Sequence, residues 1–143
     1  MAAVDSPVDW VNEHIRKYVE TGGAEGHEWQ PGVFTLLLTT IGRKSGQPRR
    51  TALIYQPHGD AYVVVASYGG APEHPAWYRN LSEHNSAEVQ VRSDVFTARA
   101  RTAEGEERAE LWKLMTEVWP AYDDYAKKTA REIPVVVLER VQG

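Results

Sequence analysis

The sequence contains no cysteine, and that absence excludes a disulfide scaffold, a thiolate nucleophile and every zinc or iron–sulfur centre that needs sulfur ligands. It has no long apolar run, and its start, Met-Ala-Ala-Val-Asp, has no basic leader. Neither a membrane-spanning helix nor a cleaved signal peptide is therefore expected. An excess of positive charge is missing too: 16 Lys and Arg stand against 20 Asp and Glu, for a net charge of −4 and a pI near 5.7. No global field draws nucleic acid, so any anion site must be local. The five histidines, at 14, 27, 58, 74 and 84, show no ligand spacing, and no metal is expected. What is present is ordinary: 143 residues, 42% hydrophobic and 25% charged, the balance of one soluble cytoplasmic domain with a real core.

Ser6 as N-cap, Pro7 at the first helical position and the stripe Val8, Val11, Ile15 and Val19 predict a helix over 7–20, with Trp10 and Tyr18 flanking it. Gly22, Gly23, Gly26 and Pro31-Gly32 then read as a flexible linker. Apolar, β-prone runs predict strands over 33–41, 50–57 and 61–67, joined as an antiparallel meander through the turn His58-Gly59-Asp60. A short helix opens at Pro75, and period-two alternation predicts strands over 88–92 and 95–101 around a turn at Ser93-Asp94. An amphipathic helix over 103–119, a break at Pro120, a second short helix and a strand over 134–138 complete the chain. Six strands with helices around them describe a small antiparallel α+β or barrel fold, not a doubly wound parallel sheet.

Three stretches carry residues suited to chemistry. Gly42-Arg43-Lys44-Ser45-Gly46-Gln47-Pro48-Arg49-Arg50 places four positive charges in nine residues with no acid among them, a set suited to phosphate or carboxylate. It lacks the Gly-x-x-x-x-Gly-Lys spacing of a Walker loop, and it suits a solvated hairpin turn equally well. Ala66-Ser67-Tyr68-Gly69-Gly70 ends an apolar strand; its glycines permit close approach of a flat ligand and its hydroxyls could bond one. It is no Gly-x-Ser-x-Gly elbow, since Val65 stands at the first glycine position, and a plain strand-ending turn is the simpler reading. Trp77, Tyr78 and Asn80 nearby have the spacing of core residues on a helix. Trp119, Tyr122 and Tyr125 recur at intervals of three, which puts them on one face to line a pocket or to rim the core. Arg92, Arg99 and Arg101 read as a solvated strand face.

Taken in order, Leu-Leu-Thr-Thr-Ile-Gly-Arg-Lys-Ser-Gly-Gln-Pro-Arg, Val-Val-Ala-Ser-Tyr-Gly-Gly-Ala-Pro, His-Pro-Ala-Trp-Tyr-Arg-Asn-Leu and Ile-Pro-Val-Val-Val-Leu closely resemble the deazaflavin-dependent nitroreductase family. This is the A-type branch of the actinobacterial flavin/deazaflavin oxidoreductases. The resemblance spans residues 30 to 141 and implies one split-β-barrel domain over 1–143, with 1–24 an N-terminal helix and linker. It implies reduced coenzyme F420 as cofactor, an 8-hydroxy-5-deazaflavin with a ribityl chain, a phosphate and a polyglutamate tail, and no metal. By position, Arg43, Lys44, Ser45 and Arg49 would hold phosphate and tail, and Arg50, Thr51, Ala52, Leu53 and Ile54 would run beside the cofactor. Val65, Ala66, Ser67 and Tyr68 would meet the ring and its neighbouring chain, with Ala76, Trp77, Tyr78, Arg79 and Asn80 closing over it. Trp119, Tyr122 and Tyr125 would bound the acceptor, and Ser67, Tyr122 or Tyr125 would donate a proton.

The implied reaction is hydride transfer to a quinone, nitro-heterocycle or other electron-poor small molecule. Tyr68 stands where relatives commonly carry lysine, and Trp119 where some carry tyrosine. The rival is a non-catalytic split barrel that binds a fatty acid, FMN or haem. The N-terminal helix is expected to pack on the barrel; its alternative is a peripheral contact with the inner face of the cell membrane, near a lipid quinone. The implied assembly is a monomer or homodimer without nucleic acid.

Overall fold

The computed structural model describes residues 9–141. The N-cap and first-position residues Ser6 and Pro7, and Val8 of the helical stripe, lie outside them. From Asp9–Thr21 the chain forms α1, then β1 (Glu28–Gln30), β2 (Val33–Ile41), β3 (Pro48–Ile54), β4 (Gln56–His58) and β5 (Ala61–Val65). A single 3₁₀ turn over Tyr68–Gly70 precedes α2 (Ala76–Glu83). The hairpin of β6 (Ser86–Val91) and β7 (Asp94–Thr102) follows. Last come α3 (Gly105–Val118), α4 (Ala121–Lys128) and β8 (Val135–Arg140).

All pairings are antiparallel. The sheet runs β2–β6–β7–β8–β5–β4, with β1 and β3 both on β2. This is the α+β split barrel, with eight strands where the sequence predicts six. One extra strand arises because the predicted strand over 50–57 divides at Tyr55. Its first part, β3, pairs with β2, and its second part, β4, crosses to β5. The turn is locked by the Tyr55 N–H, which donates to Phe34 O at 3.0 Å, and by burial of the ring. The other extra strand, β1, corrects the reading of 22–32 as a flexible linker. Glu28 pairs with Phe34 and Gln30 with Val33, and His27 beside them is only 6% exposed.

Three apolar clusters follow from the strand periodicity. Over residues 95–101 of β7 the burial pattern alternates, so one face, Phe96, Ala98 and Ala100, joins Leu36, Leu38, Val64, Val89, Val136 and Leu138 inside the barrel. Strands β5 and β8 are buried on both faces. Their outward residues Val63, Val65, Val135 and Val137 pack under Leu111 and Met115 of α3 and Tyr122 of α4. Helix α2 sends Trp77 and Leu81 into the barrel interior, which accounts for their spacing.

Helix α1 packs on the barrel, as expected, by burying Ile15 and Tyr18 against Leu37. The buried stripe differs from the sequence reading, for Val19 is 42% exposed and Tyr18 is fully buried. The Tyr18 hydroxyl explains the preference: it donates to Thr35 O at 3.0 Å and accepts the Arg92 N–H at 2.8 Å. Arg92 opens the two-residue turn between β6 and β7 at φ 56. Gly23 lies so close that a Cβ there would sit 2.4 Å from Arg92 Cα. Among the described residues no helix is long and apolar enough to cross a membrane.

Candidate functional site

Strands β3 and β5 do not pair with each other, and a cavity of about 860 Å³ lies between their residues, with α2 and α4 contributing to its wall. It has two chemically different ends. Among the described residues no Asp or Glu lines it.

The basic end is the turn between β2 and β3. Gly42 N–H donates to Gln47 O at 2.8 Å, Gly46 N–H donates to Gly42 O at 2.8 Å, and Ser45 Oγ accepts the Gln47 N–H at 3.2 Å. A Cβ on Gly42 would meet Ser45 Oγ at 2.6 Å, so a larger residue there would turn the Ser45 hydroxyl away from the Gln47 N–H. The turn is anchored by one buried amide. Asn80 of α2 is 3% exposed, and its Oδ1 accepts both the Arg43 N–H and an Arg43 guanidinium N–H at 3.1 Å. Its Nδ2 donates to the buried Thr40 Oγ1 at 3.1 Å. Arg43, Lys44, Ser45, Arg49 and Arg50 all line the cavity. Lys44, Ser45 and Arg49 are exposed.

Thr51, Ala52, Leu53 and Ile54, half-buried along β3, form one side wall. Val65, Ser67 and Tyr68 continue the wall past the end of β5, and Ala76 and Trp77 extend it from α2. Tyr68 is 61% exposed and holds φ 47, a left-handed backbone that costs a non-glycine residue about 1–2 kcal/mol. Two contacts stabilise that turn. Gly70 abuts the main chain of α4, where a Cβ would fall 2.7 Å from Tyr125 O. Arg131, between α4 and β8, donates Nε–H to Ala71 O at 2.9 Å, Nη1–H to Ala66 O at 3.3 Å and Nη2–H to Ser67 O at 2.7 Å. Its Nη1 also donates to His74 Nδ1 at 3.1 Å.

The aromatic end gathers Trp119, Tyr122 and Tyr125, as their spacing predicts. Trp119 Nε1–H points at the Tyr125 hydroxyl, 3.5 Å away, and the Tyr122 and Tyr125 rings meet edge to face at 6.1 Å. Tyr122 is 5% exposed. Burial, then the neighbouring Tyr125, pushes its hydroxyl well above the usual phenol range, so it stays protonated and able to donate through neutral pH. Trp29 of β1 tilts against Trp119 with ring centroids 5.4 Å apart. His14 of α1 lines the same cavity, its Nε2 3.2 Å from Thr35 Oγ1.

Three residues named from the resemblance lie off the cavity wall. Ala66 is fully buried in the barrel core, with its N–H donated to Pro134 O. Tyr78 turns to the other side of α2, where its hydroxyl meets Thr102 Oγ1 at 2.9 Å and its ring meets His74. Arg79 is exposed beside it. Helical spacing is the cause: Ala76, Trp77 and Asn80 share one face, and residues 78 and 79 fall on the opposite one. Sequence reasoning missed His14, Trp29, Thr35 and Thr40 in the wall and Arg131 behind it. For Trp29 the signal was an aromatic in an otherwise polar segment.

A family model described as F420H(2)-dependent quinone reductase matches residues 10–140. An F420H(2)-dependent quinone reductase of Mycobacterium tuberculosis is 41% identical over 130 residues, covering 89% of this chain and 87% of its own length. Among solved structures, an F420-H2-dependent reductase (FDR-A) is 34% identical with a TM-score of 0.68, covering 97% of this chain and 99% of its own. A structure described as a domain-swapped dimer is 39% identical with a TM-score of 0.72, covering 94% of this chain and 100% of its own.

Proposed function

The chain belongs to the F420H(2)-dependent quinone reductase family, and on that premise we propose that it reduces a quinone with coenzyme F420 in the cavity between β3 and β5. One observation carries the reading: the cavity is lined by cations at one end and by aromatic rings at the other. That donor set fits a ligand with an anionic phosphate and glutamate tail and a flat ring. A single fatty-acid carboxylate calls for about one positive group, whereas the exposed Lys44 and Arg49 on the cavity wall, with Arg43 beside them, present several.

In this reading Arg43, Lys44, Ser45, Arg49 and Arg50 take the phosphate and tail. Thr51 to Ile54, Val65, Ser67, Tyr68, Ala76, Trp77 and Asn80 bound the ring and its adjoining chain. Trp119, Tyr122 and Tyr125 bound the acceptor. The chemistry supplied by the bound cofactor is a hydride, two electrons at once, so a quinone with one added proton becomes a quinol without a radical stage. The chain itself aligns the two flat partners, excludes water with its aromatic wall and presents hydroxyls. Tyr122 and Ser67 line the cavity, and in this reading their hydroxyls supply a hydrogen bond or proton to the oxygen that gains charge. Nitro-heterocycles are acceptors of the same electron-poor kind.

The test is a titration with oxidised F420 read by tryptophan fluorescence, since Trp29, Trp77 and Trp119 all line the cavity, with FMN and a long-chain fatty acid in parallel. Saturable quenching by F420 followed by reduction of menadione with F420H2 supports the reading. Quenching by FMN or fatty acid alone sinks it.

A further inference from the structure

Behind the cavity, one cation is used in an unusual way. Arg131 has no carboxylate partner among the described residues. Its donors go instead to three main-chain carbonyls, of Ala66, Ser67 and Ala71, and to the ring nitrogen of His74. Burial works against its charge, and no carboxylate offsets that cost. The four acceptors belong to two segments. Ala66, Ser67 and Ala71 bracket the 3₁₀ turn that carries Tyr68 at φ 47, and His74 lies next to Pro75, the N-cap of α2, which supplies Ala76, Trp77 and Asn80. Both segments line the cavity, yet Arg131 does not.

We infer that Arg131 is a positioning residue for the site: its planar guanidinium clamps the 66–71 turn to the start of α2, so that Ser67, Tyr68 and Trp77 hold one fixed wall. A guanidinium presents donors in a rigid fork and reaches several carbonyls at once, whereas a lysine ammonium is a single point of charge. Losing the fork frees a turn that already carries left-handed strain, and the wall relaxes. This role rests on the functional reading above for its consequence in turnover, but not for its structural content.

The test therefore has two independent arms, run on the full chain as Arg131→Ala and Arg131→Lys. In the ligand-free protein, amide hydrogen exchange followed by mass spectrometry is expected to accelerate in peptides covering 66–76 in both variants. Peptides from β2 and β6 should keep wild-type exchange. In the loaded enzyme, quinone turnover is expected to fall on the order of 10–100-fold in both, the scale on which a misplaced wall slows reaction. Free guanidinium, and not ammonium at equal concentration, is expected to restore part of the loss in Arg131→Ala. Lysine keeps the charge and most of the stem, so that variant carries the test should the alanine variant fail to fold. Wild-type exchange over 66–76 in either variant, or wild-type turnover in Arg131→Lys, overturns the inference. A wild-type protein that does not bind F420 overturns the functional reading and leaves the exchange arm to decide this one.

Discussion

The two ends of the cavity are built on opposite plans. At the basic end Lys44, Ser45 and Arg49 are exposed and the turn hangs on the amide of Asn80, whose carbonyl oxygen takes both the main chain and the guanidinium of Arg43. At the aromatic end the groups support one another: Trp119 packs on Trp29, its indole points at Tyr125, and Tyr125 meets Tyr122 edge to face. The contrast separates two kinds of recognition. Exposed cations on a thinly anchored turn bind charge at long range and tolerate motion of a flexible tail. A packed aromatic wall selects by shape and keeps water out. Affinity for an anionic ligand should therefore reside at the first end, and rate with the acceptor at the second.

The most severe way to break this division is to replace Arg43 and Lys44 together with alanine. Two charge-assisted contacts of about 1.5–3 kcal/mol each are lost, so F420 affinity is expected to drop by several kcal/mol while circular dichroism shows an intact fold. Wild-type affinity in the double variant would refute the assignment of the basic end. Asn80→Ala attacks the anchor instead of the charges. It leaves the Thr40 hydroxyl and the Arg43 N–H without their partner, a loss of about 1–3 kcal/mol in unfolding free energy by urea titration, together with weaker F420 binding. Weakened binding at unchanged stability would mean that Asn80 touches the ligand directly and does not act through the turn.

Tyr122→Phe probes the other end. Its hydroxyl has no hydrogen-bond partner in the protein among the described residues, so the fold should not suffer. Steady-state kinetics should show a turnover loss of up to about tenfold, the worth of one hydrogen bond, with F420 affinity unchanged. An affinity loss matching that of the Arg43 and Lys44 double variant would abolish the distinction between the ends.

The smallest expected effect lies outside the cavity. Arg92 Nε–H donates to His27 Nδ1 at 3.3 Å, so His27 is neutral, with its Nε2 proton facing the Tyr55 hydroxyl at 2.7 Å. Burial and the Arg92 charge hold its pKa below 6.5. The folded state thus binds fewer protons than the unfolded chain in this range. Its contribution is complete above pH 6.5 and declines as pH falls through the lowered folded value. A melting series from pH 8 to 5 should show His27→Gln losing less stability on acidification than wild type. Equal slopes would assign the acid sensitivity to His14 or His74, whose pKa values are also lowered by burial.

Much of this was legible in advance because it is local. The alternation of 95–101 and the apolar run of 33–41 gave their strands, and the acid-free cluster at 43–50 marked one end of the cavity. What escaped reading is what depends on partners remote in the chain. Nothing in 50–57 announces that the strand changes partners at Tyr55, since both halves are β-competent and only the choice of neighbour differs. Strand β1 is three exposed residues, too short for any period. Arg131 looks like one more charge before a strand until Ala66, Ser67 and Ala71 come to lie beside it, some 60 residues away in sequence.

The contact at Gly70 bears on how such a site diversifies. The turn that carries Ser67 and Tyr68 rests on the backbone of α4, on Tyr125 O and Cα, and on the first side-chain carbon of Lys128. Every residue but glycine and proline presents that same backbone in a helix. Selection can therefore exchange the rings that α4 shows to an acceptor while the surface that seats the turn stays as it was. If 119, 122 and 125 bound the acceptor as proposed, acceptor preference and cofactor seating are separable traits, and a designer seeking a new acceptor should vary those three positions and leave 70 alone.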